Sequence, residues 1–96
     1  MKKERVIFRK FKDGDVIALL QDNPCNFGMI DSYMKIGQHG EASVHIINDT
    51  ILAKKSEYKE LLSELESIGY NLRVIKKINY NDLSKTWNNT IQSCYI

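Results

Sequence analysis

No apolar run in the chain approaches the roughly 20 residues that a membrane-spanning helix needs, so no membrane partner or span is expected. Cysteine is scarce. Cys25 and Cys94 lie far apart without metal-type spacing, and both read as reduced thiols that behave as small, partly buried hydrophobes. The N-terminus lacks the charged, then apolar, then small-residue order of a signal peptide, and a cytoplasmic location is expected on that ground. His39 and His45 complete no compact ligand set with the cysteines, so neither a metal nor another cofactor is expected. There is no Gly-Lys-Ser/Thr phosphate loop, no serine-centred nucleophile elbow, no internal repeat and no low-complexity run. Net charge is low as well: 14 Lys and Arg against 12 Asp and Glu leave +2, too little by itself to imply nucleic acid.

What is present fits one small folded domain. With 96 residues, 43% apolar and 27% charged, the chain can build a single core and not a second. The clearest stretch is Ser56 to Tyr70, where Tyr58, Leu61, Leu62, Leu65 and Ile68 fall on one side of a helix. Ser56 is the expected cap, and Gly69 the expected stop, because glycine adopts a left-handed backbone at little cost. A helix this short is marginal alone in water, so its apolar stripe must lie on something, and a sheet is the candidate.

Strands are expected on both sides of that helix. Arg5 to Phe11 and Asp15 to Gln21 flank an Asp13-Gly14 turn, a strong hairpin signal. Asp22 to Asp31 has loop composition. Ser32 to Ile36 and Ser43 to Ile47 read as a third and fourth strand, and Asn71 to Ile78 as the last. The predicted fold class is α+β: a small antiparallel sheet made of a hairpin, one or two further strands and a last strand, with the central helix packed on one face. Residues 1–78 form the expected domain, and 79–96 a tail that is either a short docked helix on Tyr80, Leu83, Trp87 and Ile91 or a segment ordered by a partner. The sheet's other face would show Ile7, Phe11, Ile17, Leu19 and Ile75. An apolar face of that kind needs a cover, the tail or a second copy, and a homodimer is expected from it.

The candidate contact residues form two groups. Tyr33, Gln38 and His39 surround the Gly37 to Gly40 segment, where glycines allow close approach and a histidine can donate, accept or take a proton. Arg5 and Arg9 on the first strand, with Arg73 and Lys77 on the last, would form a basic stripe if those strands are neighbours, able to track phosphates. The helix glutamates are read as solvated. A nucleophilic pair of Cys25 with His39 as base can be written, but any chain holding both residue types allows it. The leading expectation is therefore a non-enzymatic binding or interaction module whose ligand, a protein or a nucleotide, is left open, and the alternative is a nucleotide or nucleic-acid binder through the basic sheet face and the Gly37 to Gly40 loop.

Two resemblances follow from these residues. Ile36-Gly37-Gln38-His39-Gly40 resembles the Ile-Gly-x-x-Gly of K-homology domains, although its flanks read as strands and not helices. Three stretches taken together are Phe8 to Lys10 with Lys12 to Leu19, Ser32-Tyr33 with Gly37 to Gly40, and Glu57-Tyr58 with Glu64 to Tyr70. They resemble a group of small uncharacterised proteins encoded by bacteriophages and mobile elements of anaerobic gut bacteria. That resemblance implies a setting, a small intracellular accessory protein, and carries no catalytic residue.

Overall fold

The computed structural model describes residues 3–94 apart from 24 and 36, with side chains as far as residue 88. The expected strand end at Ile36, the stripe position Ile91 and the Cys94 thiol lie outside the described residues. The fold is α+β. Its strands are β1 (Glu4–Lys10), β2 (Val16–Leu20), β3 (Met29–Met34), β4 (Gln38–Ser43), β5 (Ile51–Leu52) and β6 (Leu72–Val74), with helices α1 (Lys55–Ser67) and α2 (Tyr80–Cys94). The strands make one sheet in the order β4-β3-β2-β1-β5, with β6 also on β1.

β1 and β2 pair about the Asp-Gly turn as their sequences predict, Phe8 opposite Ala18 and Lys10 opposite Val16. Gly14 takes φ +96° there. The other edge of β1 is shared. β5 pairs antiparallel at Arg9 and Lys10, and β6 pairs parallel at Glu4 to Val6. The last strand is thus shorter than Asn71 to Ile78 and runs parallel to β1, the one parallel pair in an otherwise antiparallel sheet. The chain reaches it by crossing over through α1, which is what a parallel return requires.

One correction concerns the fourth strand. The residues expected to extend from Ser43 to Ile47 instead form a 3-10 turn, Val44–Asp49, capped by the Ser43 hydroxyl, which accepts the His45 N–H. The strand lies just before it, in Gln38–Ser43, whose sequence has little intrinsic β preference. β3 supplies the pairing, from Met34 opposite Gln38 to Met29 opposite Ser43. Val44, Ile46 and Ile47 satisfy their apolar character by packing on the core, not by joining the ladder.

α1 covers one face. Leu61 and Leu65 are buried among Val6, Phe8, Ala18, Leu20 and Tyr33, with Tyr58 and Leu62 at the margin, and Tyr58 stacks on Phe8 at 4.4 Å. Each such buried aliphatic side chain contributes about 1.5–3 kcal/mol. Ile68, expected on this stripe, is exposed, because the helix ends before it. Gly69 at φ +111° turns the chain, and the Tyr70 N–H returns to the Leu65 carbonyl (3.1 Å) while the Gly69 N–H returns to Glu66 (3.2 Å). That is the glycine stop the sequence predicts. The cap differs from the expected Ser56. Glu57 accepts the Lys54 N–H (2.9 Å) and donates its own N–H to the Lys54 carbonyl (2.8 Å).

α2 and the 3-10 turn cover the opposite face. Leu83 and Trp87 are buried against Ile7, Ile17, Leu19, Cys25 and Ile30, with Phe11 and Ile75 alongside. The Trp87 indole donates to the Met29 carbonyl (2.7 Å), which also accepts the Cys25 thiol (2.9 Å). Of the two covers expected for this face, the helical tail is in place, so the apolar face no longer calls for a second copy. Among the described residues no helix is long and apolar enough to cross a membrane.

Candidate functional site

The β3–β4 hairpin brings Tyr33 and His39 directly opposite each other. Alternation along the strands puts both on the α1 side of the sheet, where Tyr33 is buried and His39 is exposed. Their rings meet edge to face at 4.6 Å. Two residues that sequence reasoning did not select complete the cluster. Tyr70, held in place by the turn after Gly69, makes a 3.1 Å hydrogen bond between its hydroxyl and His39 Nε2. Glu64, on α1, accepts the Tyr33 hydroxyl, which in turn accepts the Gly37 N–H at 3.0 Å.

Glu64 corrects the expectation that the helix glutamates are solvated. It sits three residues after Leu61 and one before Leu65, on the flank of the apolar stripe, and that flank overhangs Tyr33. Position on the helix wheel was the signal that could have found it. Glu57 likewise pairs with Lys10 of β1 on the sheet beneath the helix, which holds its carboxyl below the ordinary carboxylate range.

The electrostatics keep both phenols protonated. Donation to Glu64 is the main cause that raises Tyr33 above the usual tyrosine value, with burial second. Burial is the first cause for Tyr70, followed by the negative charge of Asp31 and Glu4. Neutral phenols are hydrogen-bonding groups and not bases at neutral pH. Cys25 is raised as well, by burial. It belongs to the cluster beneath α2, on the face away from His39, so the sheet separates the two members of the Cys-His pair. No nucleophile and base are brought together by these residues.

The remaining candidates are placed apart. Gln38, at the start of β4, lines a groove of about 280 Å³ with Val16, Met34, Lys35, Glu57 and Glu60. Arg5 and Arg73 are register neighbours on β1 and β6, but Arg9 lies at the far end of β1 beside β5, and Lys77 follows the end of β6. The four cations therefore form no continuous stripe. Two of them act within the fold. Arg5 bridges Asp22 (2.6 Å) and Asp82 (2.8 Å), tying β1 to the β2–β3 loop and to α2, and both carboxylates hold its charge more firmly still. Arg9 donates to Thr50 Oγ1 (3.0 Å) and to the Ile47 carbonyl (2.9 Å), closing the end of the 3-10 turn. Arg73 and Lys77 are exposed.

The Gly37 to Gly40 segment turns between two strands, with Gln38 to Gly40 already in β4, and no helix flanks it as a K-homology loop requires. Among the described residues, no group of three or more His, Cys, Asp or Glu could hold a metal ion. Comparison with protein-family models, curated proteins and solved structures finds no match to this chain.

Proposed function

We propose that the chain is a non-enzymatic binding module whose contact surface is the β3–β4 hairpin, with His39 at its centre, Tyr70 and Gln38 beside it and buried Tyr33 supporting it from beneath. One observation carries this reading. An exposed imidazole is fixed from two directions, by the Tyr33 ring and the Tyr70 hydroxyl, while Tyr33 is itself anchored to Glu64. A side chain held this way on a sheet loses little freedom when a partner arrives, which favours binding. The display lies on an open strand, suiting a macromolecular partner over a buried small substrate. In the mobile-element setting implied by the sequence resemblance, such a module acts by occupying a protein.

A photo-crosslinking residue at Gln38, compared with one at exposed Ser63 on α1, tests the reading in cells. Capture at position 38 alone, lost when His39→Ala is added, supports it; equal capture at both positions refutes it. The nucleotide alternative now draws on Arg73 and Lys77, since Arg5 and Arg9 donate within the chain. Anisotropy with short single-stranded RNA and with a labelled nucleotide separates the two. Binding that collapses with salt and on Arg73→Ala replaces the protein-binding reading with the electrostatic one.

A further inference from the structure

β4 ends the sheet. Among the described residues it pairs with β3 alone, on its inner side, and its six residues are exposed except for half-buried Ala42. The opposite edge is broken between two-residue β5 and three-residue β6. An uncovered strand presents amides and carbonyls to any second strand, and proteins usually discourage this with lysine, proline, a bulge or brevity. β4, reading QHGEAS, has neither lysine nor proline, and its single charge is Glu41.

The strand is also complementary to itself. His39 lies opposite Tyr33 and Glu41 opposite Asp31, which puts both on the α1 side, and Gly40 and Ala42 on the other. Two copies joined antiparallel about a two-fold axis normal to the sheet keep α1 on the same side in both, so facing residues must share a side. Two registers then engage most of β4. Centring on Glu41 sets two like carboxylates directly opposite each other, which is destabilising. Centring on Gly40 sets bare glycine backbones at the axis and places His39 opposite the partner's Glu41, twice over by symmetry.

We infer that this face of the hairpin takes a second copy of the same chain, through β4 in the Gly40-centred register. The inference rests on the hairpin being the contact surface and names its partner. Both facing groups are already oriented. His39 is held by Tyr33 and Tyr70, and Glu41 accepts the backbone N–H of Asn26 (3.3 Å) and its side-chain amide (2.9 Å). Within one chain, Glu41 also stands directly opposite Asp31, an unfavourable pairing of like charges. A hydrogen-bond donor from the partner's His39 arrives beside that negative pair. The second copy thus contributes a residue to the site that one chain alone does not complete.

A short edge-to-edge interface is small, so the dimer is weak and reversible, seen by sedimentation velocity as concentration rises to about 0.5 mM. His39→Glu alone and Glu41→Lys alone each weaken it about tenfold or more, because the first sets two pairs of like carboxylates face to face and the second removes both carboxylates that accept from the imidazoles. An equimolar mixture of the two variants recovers dimers. In the mixed pair the new carboxylate faces the new ammonium, and the native imidazole faces the native carboxylate. Circular dichroism on each variant confirms that its fold is retained, and recovery on mixing cannot come from contacts inside one chain. A wild-type chain that stays monomeric, variants that dimerise like wild type, or a mixture that stays dissociated would each overturn the inference. Monomeric behaviour together with crosslinking of a different macromolecule at position 38 would remove the second copy and leave the hairpin reading standing.

Discussion

Removing the Leu83 side chain tests whether α2 belongs to the core. Leu83 is fully buried over the sheet face formed by Ile7, Ile17 and Leu19. A buried Leu→Ala change costs about 2–5 kcal/mol, depending on how far the surroundings collapse into the space. Here the floor is a paired sheet that cannot rise, and Trp87 is anchored one turn on by its bond to Met29, so about 3 kcal/mol is expected. Domains of this length are stable by roughly 0.05–0.15 kcal/mol per residue, which makes that a large fraction of the whole. It corresponds to a drop in Tm of roughly 12–24 °C. Trp87 is the sole tryptophan, so its fluorescence reports α2 while far-UV circular dichroism reports the entire fold. In urea, both signals of Leu83→Ala should move together to a lower midpoint with an unchanged slope. A loss under about 1 kcal/mol, or a fluorescence transition that precedes the dichroism transition in the wild type, would refute the claim and make α2 an appendage.

Three further outcomes follow. Tyr33→Phe removes the acceptor of the Gly37 N–H and the donor to Glu64, and chemical denaturation should show a loss of about 1–2 kcal/mol. Arg5→Ala should lower stability by about 1–3 kcal/mol because it leaves Asp22 and Asp82 without their cation, whereas a purely ligand-binding role for Arg5 predicts unchanged unfolding. Glu4 is raised above the ordinary glutamate value first by burial and then by Asp22 and Asp31. A raised folded value means that ionisation costs stability as pH climbs through it. Glu4→Gln should therefore raise the unfolding midpoint at pH 7 and lose that advantage near pH 3, where both states are already protonated; an advantage independent of pH would contradict this.

The parts of this fold that were legible in the sequence are those in which local and tertiary preferences agree. The Asp13-Gly14 hairpin, the Leu61-Leu65 stripe and the Gly69 stop each carry a local signal that packing then reinforces. Where the two disagree, tertiary structure decided. Met29 to Asp31, expected to close the loop that starts at Asp22, instead begin β3, because β4 pairs with all three and β2 with Asp31. Gln38 to Ser43 form a strand without β-forming composition, while Val44 to Ile47, with it, turn away to fill the core under α2. The tail is rich in weak helix formers, yet α2 forms because Leu83 and Trp87 have a face to cover. At the candidate site, Tyr33 and His39 could be singled out near the glycines. Tyr70 could not, since it reaches the site only through the crossover that folds α1 back over the sheet, and Glu64 was marked only by its place on the flank of the helix stripe. Arg5 and Arg9 show the reverse error: cations on one strand face suggested a ligand, but each has acceptors supplied by distant loops.

Contact with a partner through the β3–β4 hairpin can be observed directly in solution. Nitrogen-15 amide spectra recorded over a dilution series report which backbone groups change environment on contact. The account predicts concentration-dependent shifts at Gln38 to Ser43 and at Tyr70, with β5 and β6 unaffected. Shifts centred instead on exposed Ile51, Leu52 and Val74 would contradict it.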